Sequence, residues 1–278
     1  MKSFVVMGQA RLAGVALVLA LRTAAQAQAP AAGSASPEAL RDYTAYLRVM
    51  ESRMDAAVQE RDGFLWANTP ERRAQVRAAG VLCEPRNARG DVRVTKGLIH
   101  DWVGSSFIPG AAMEQVLAPI QDYDHHKNSY RPVVIDSRTL EHQGNDYKVR
   151  LRLVKRKIIR VVVDVDSEVH YRPLANGDWQ SRAHGTRIVE IADAGGPNER
   201  ALPPSDDHGF LWRLDTYWLF RQRDGGVYVE CEAVSLSRAI PAALAWLIEP
   251  IVRSLPKDEL VQTLTSTRAL VLGKLPKR

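Results

Sequence analysis

Residues 210–237 read FLWRLDTYWLFRQRDGGVYVECEAVSLS, and this stretch decides the fold. Two runs rich in aromatic and β-branched residues, Phe210–Arg221 and Val227–Ser237, flank the turn Arg223-Asp224-Gly225-Gly226, the pattern of a β-hairpin. Within the first run Trp212, Trp218 and Phe220 share strand parity with Phe210, whereas Arg213 and Tyr217 take the other face. A helical segment follows, its apolar stripe running from Leu244 through Leu247, Ile248, Ile251, Leu255, Leu260 and Leu264 to Val271. Pro250 and Pro256 interrupt it, which predicts a kink, or a short helix before a longer one. An antiparallel sheet ending in one long amphipathic helix buries the stripe in the sheet's concave face. The product is a hollow half-barrel with a helix across its mouth, a shape suited to an apolar ligand.

Outwards from the hairpin, the chain keeps the same character. Arg131–Glu141, Tyr147–Arg156, Ile158–Tyr171 and Asp178–Ile191 are strand-like, with turn signals at Gln143-Gly144-Asn145-Asp146 and Ala175-Asn176-Gly177-Asp178. Ahead of them Val92–Val103 reads as a strand, broken by Phe107-Ile108-Pro109-Gly110 and followed by a helix over Ala111–Gln121. The Gly/Pro-rich loop Ala192–His208 is long for a hairpin and is a candidate rim or lid. Strand, helix, six more strands and a closing helix make an α+β fold. Its sheet is a curved, seven-stranded antiparallel meander around the C-terminal helix.

The N-terminal third is different. Lys2 and Arg11 precede the apolar run Leu12–Leu21, and Ala25-Gln26-Ala27-Gln28-Ala29 offers cleavage-type spacing, so residues 1–29 read as a secretory signal peptide. The run is too short to span a bilayer core of ~30 Å at helical rise. Residues 30–36 form a small-residue linker. Residues 37–90 form a helical extension, in which Ser36 caps one helix with its stripe through Tyr43, Leu47 and Met50, and Thr69 caps a second that ends at Gly80. Residues 91–272 make the main domain, and 273–278 a tail. Export predicts a periplasmic or secreted protein, with Cys83 and Cys231 in an oxidising compartment, either bridged or as two thiols. Removing Lys2, Arg11 and Arg22 lowers the formal charge from +6 to +3, which gives no argument for a nucleic-acid partner.

The main domain resembles the START-related, polyketide cyclase-like (SRPBCC) helix-grip superfamily, in its exported bacterial branch. The resemblance is carried by Gly97-Leu98-Ile99-His100-Asp101-Trp102 and Asp122-Tyr123-Asp124-His125-His126-Lys127 near the start. At the other end it rests on residues 212–218 and 229–235, the helix opening Ser237-Arg238-Ala239-Ile240-Pro241, and Trp246-Leu247-Ile248. It implies a ligand cavity between sheet and closing helix, and it implies no catalytic motif. The ligand would be a hydrophobic small molecule, a lipid or isoprenoid.

No constellation of reactive groups stands out. His125 and His126 are adjacent and diverge by about 100° on a helix, so Asp122–His126 reads as a solvated helix end and not a metal site. Cys231 sits between Glu230 and Glu232, which oppose an activated thiolate. Neither catalytic residues nor a cofactor or metal are expected. The residues expected to line the cavity are Trp102, Trp212, Trp218, Phe220 and Trp246, with Tyr123 or Arg213 at the ligand's head. The run Arg150, Arg152, Lys155, Arg156, Lys157 and Arg160 reads as a solvated sheet face or as a contact with anionic membrane lipid. Two other readings remain open at this stage. One is a cyclase- or hydrolase-like enzyme using a cavity carboxylate such as Asp215 or Glu230; the other is an envelope interaction protein with a filled core.

Overall fold

A computed structural model describes residues 34–60, 65–87, 90–156, 160–239 and 242–273, with the backbone alone for 242–253. The expected signal peptide, most of the linker and nearly all of the tail lie outside the described residues, as does the side chain of Trp246.

The N-terminal helices start where their caps require. In α1 (Pro37–Gln59) the Ser36 hydroxyl accepts the Ala39 N–H at 3.2 Å with Pro37 in the first turn, and in α2 (Pro70–Ala79) Thr69 accepts from Arg72 at 3.2 Å. Gly80 ends α2 at φ +78°, a conformation that glycine adopts without strain.

The strands follow as β1 (Val81–Pro85), β2 (Asp91–Val94) and β3 (Gly97–Pro109). Next come α3 (Met113–Gln121) and, past one helical turn at Tyr123–His125, the short α4 (His126–Ser129). The rest of the sheet is β4 (Val134–Gln143), β5 (Asp146–Arg156), β6 (Arg160–Pro173), β7 (Trp179–Ala192), β8 (Arg200–Ala201), β9 (Arg213–Arg223) and β10 (Gly226–Arg238). The chain closes with α5 (Ala242–Val271).

All pairings are antiparallel, in the order β1-β3-β10-β9-β7-β6-β5-β4. The seven expected strands are the path from β3 to β4. Three additions surround them. β1 and β2 both pair with the outer edge of β3, and β8 extends the β7 edge from within the loop expected to be irregular.

Several boundaries differ from expectation for identifiable reasons. The run Val92–Val103 is two strands, folded back on one another at Lys96, whose φ is +60°. Phe107, Ile108 and Pro109 remain in β3 because β10 holds them in register, opposite Tyr228, Val227 and Gly226. The break falls at Gly110. The stretch 81–85, assigned to the helical extension, contributes a strand. α5 is a single 30-residue helix that passes through both Pro250 and Pro256.

The register also settles the cysteines. Cys83 and Cys231 both stand opposite Gly104, on either side of β3. Two strand spacings, about 9.5 Å, separate them, beyond the ~7 Å limit for a disulfide. Both are free thiols.

Each face of the sheet carries its own core. On the concave face α3 and α5 pack with Trp102, Ile108, Phe220, Val229 and Cys231. On the convex face α1 packs with Ile99, Trp212, Tyr217, Val234 and Leu236, and Val76 of α2 packs with Phe107 and Tyr228.

Candidate functional site

Alternation along the strands builds the site. On β10 Cys231, Ala233 and Ser235 face inwards, as do Thr216 and Trp218 on β9 and Val149, Leu151 and Leu153 on β5. The sheet packs closely against α5 along its β1-β3-β10 edge. There Gly104 lets the helix approach closely: a Cβ at that position would lie 2.6 Å from Cδ1 of Leu264. The β4–β7 half of the sheet curves away, and a cavity of about 200 Å³ remains between it, α5 and the α3–α4 corner. Its wall is mostly aliphatic and aromatic.

Polar groups lie at defined places in that wall. In the α3–α4 corner the Tyr123 and Tyr171 hydroxyls are hydrogen-bonded at 2.8 Å. Thr267 donates to Thr263 O, so the Tyr130 hydroxyl donates to Thr267 Oγ1, at 3.1 Å. Burial pushes Tyr130 up to about 12 and raises Tyr123 and Tyr171, so all three are neutral donors. Burial also lowers His126 to about 4, and this neutral imidazole is bonded to Ile120 O. On the opposite wall Lys155 Nζ meets Glu259 Oε2 at 2.6 Å, with both side chains largely buried.

The expected site residues divide between the two faces. Tyr123 and Trp218 line the cavity. Trp102 and Phe220 lie on the concave side within the packed core. Trp212 does not join them: it packs on the convex face against Ala39 and Tyr43 of α1. It stands just before β9, where the chain arrives from the preceding loop and regular alternation has not begun. Arg213 lies beside it in a convex-side groove with Ser34 and Leu40. It cannot reach a head group in the cavity.

The carboxylates proposed for catalysis are also on the convex face. Asp215 accepts from Tyr43 at 2.6 Å and is bonded to His184 at 2.9 Å. Glu230 accepts the backbone N–H groups of Trp66 and Ala67 at 2.6 and 3.1 Å. Tyr46 donates to Asp101 at 2.6 Å, and Glu232 pairs with Arg53 and Arg86. These groups fasten the N-terminal extension to the sheet and do not face a ligand. Among the described residues no cluster of three or more His, Cys, Asp or Glu is arranged to hold a metal.

Two arginines of the basic run are matched by carboxylates, and Lys157 lies outside the described residues. Arg150 is paired with Asp166 through two hydrogen bonds, and Arg152 with Asp164 and Glu199. Lys155 points the other way, into the cavity. It shares parity with Val149, Leu151 and Leu153, a signal present in the sequence but hidden among neighbouring arginines. Glu259 carried no such signal, because its partner comes from a distant strand.

Seven consecutive antiparallel partners from β4 to β3 curve around one C-terminal helix, with the α3–α4 corner inserted after the first of these strands in the chain, β3. This course is a helix-grip fold, an antiparallel sheet curved on a C-terminal helix. No family model and no curated protein matches the chain. Solved structures with a similar helix-grip course include TTHA0849 from Thermus thermophilus, at 16% identity over 63% of this chain and 98% of that one, TM-score 0.45. The STAR-related lipid transfer protein from Xanthomonas axonopodis aligns at 16% identity over 67% and 99%, TM-score 0.40. The Zhui aromatase/cyclase from Streptomyces sp. R1128 aligns at 12% identity over 64% and 96%, TM-score 0.44. The helix-grip likeness concerns the course of the chain, and function has to be read from the cavity itself.

Proposed function

We propose that this is an exported binding or transfer protein for a hydrophobic small molecule, a lipid or isoprenoid, held between the sheet and α5. The observation that carries this reading is the cavity: a largely apolar wall that the protein leaves unfilled although both faces of the sheet are otherwise packed. Burial of apolar ligand surface supplies affinity at roughly 25 cal/mol per Å², and the few polar groups orient the ligand. The N-terminal pattern of basic residues, apolar run and small residues supports export. Asp215 and Glu230 lie on the other side of the sheet, so the enzymatic alternative loses the carboxylates on which it depended.

Leu151→Trp is expected to fill the cavity. A fluorescent fatty probe should bind it at least about tenfold more weakly than the parent protein, with cooperative unfolding retained. Equal affinity in a folded variant would place the probe elsewhere.

A further inference from the structure

The ion pair in the cavity wall says something about the ligand's head. Among the described lining residues Lys155 is the sole Lys or Arg, and Glu259 the sole Asp or Glu. They neutralise one another at 2.6 Å. Glu259 uses only one carboxylate oxygen for this contact. Its Oε1 is buried and receives no hydrogen bond among the described residues. Nearby Thr263 does not serve it, because its hydroxyl is spent on the Glu259 backbone carbonyl at 2.8 Å.

A buried acceptor with an open lone pair calls for a donor. An ionised ligand acid cannot supply one. It would also meet the Glu259 charge, while the only cation among the described lining residues is already matched. A hydroxyl supplies the donor and brings no charge.

Resting on the cavity-binding reading above, we propose that the Lys155–Glu259 pair selects an apolar ligand with a neutral hydroxyl head and rejects the corresponding free acid. Glu259 is the discriminating residue: it occupies Lys155, and a small rotation of its carboxylate brings the unpartnered Oε1 to the cavity to accept the ligand's O–H. Removing its charge leaves Lys155 unmatched and open to a carboxylate.

The test compares hexadecan-1-ol with hexadecanoate as competitors for a fluorescent fatty probe, at about pH 7 where the acid is ionised. The parent protein should bind the alcohol about tenfold more tightly than the acid. Glu259→Gln should reverse that order. The neutral double variant Lys155→Met/Glu259→Gln should lose the gain for the acid, and it supplies the comparison if Glu259→Gln alone fails to fold. Equal or tighter binding of hexadecanoate by the parent, or an unchanged ratio in folded Glu259→Gln, overturns the selectivity and leaves the cavity reading standing. If neither compound displaces the probe from the parent and the probe itself does not bind, the cavity reading falls and the selectivity with it.

Discussion

Gly104→Val is expected to lower the unfolding free energy by about 3 kcal/mol, the upper part of the range for overpacking a core, and to abolish ligand retention. Gly104 sits at the centre of the β1-β3-β10 platform on which α5 rests, and Leu264 occupies the space a side chain would need. Leu264 is fully buried, so its displacement has no solvent to move into. The carbonyl of Leu82, 3.3 Å from the same point, blocks the other side with backbone. The helix has to rise, and the cavity opens along the edge where it is now sealed. Denaturant titration gives the stability change. Leu264→Ala in the same background should recover part of the loss, because the two substitutions act on one contact and do not add. Full additivity would show that α5 does not rest on Gly104.

The second large effect is on pH dependence. Burial, then the nearby charge of Glu232, pushes Asp101 up to about 7, with Tyr46, Arg86 and Arg53 pulling the other way. Burial likewise pushes Glu230 up to about 7 against the two backbone N–H groups that favour its charge. Ordinary carboxyls titrate near 4, so between about 4 and about 7 the folded protein holds protons that the unfolded chain has released. Stability therefore falls as pH rises through that window, by at most about 1.4 kcal/mol per unit for each group. His184, raised mainly by its hydrogen bond to Asp215, acts in the same direction: its contribution is lost as pH rises through its folded value. Asp166, held down mainly by Arg150, acts oppositely and costs stability below about 4.

The protein should thus be most stable near about pH 4, where the two trends meet, and lose about 2–4 kcal/mol by about pH 8. Asp101→Asn keeps an acceptor for Tyr46 and removes one of the two raised groups. Its stability should decline less steeply and exceed that of the parent at the alkaline end. Urea midpoints measured across this range decide the matter. A parent profile that is flat or rising, or an Asp101→Asn profile of unchanged slope, would mean that these carboxyls are not buried beneath the N-terminal extension.

The pH effect lies in a part of the molecule the sequence described poorly. Regular alternation made the inner parts of the fold legible: Trp218 and Phe220 take the concave side of β9, opposite to Tyr217. Parity also correctly separated Val149, Leu151 and Leu153 from Arg150 and Arg152. It failed where regularity stops, at Trp212 ahead of β9, and where no pattern says which element will cover a face. Tyr43 and Met50 marked a docking stripe on α1, but nothing marked Asp101, Asp215 and Glu232 as its buried partners, or Glu230 as the partner of the 66–67 backbone. Contacts such as Tyr43 to Asp215 join residues far apart in the chain, which spacing cannot reveal. The Lys155–Glu259 pair was hidden for the same reason.

The cavity makes the central claim, and native mass spectrometry of the folded protein purified from its source cells, followed by solvent extraction, tests it most directly. The expected result is one stoichiometric apolar molecule, extractable from the parent protein and absent from Leu151→Trp. An apo mass for the parent, or the same molecule retained equally by the cavity-filled variant, would contradict a ligand held between the sheet and α5.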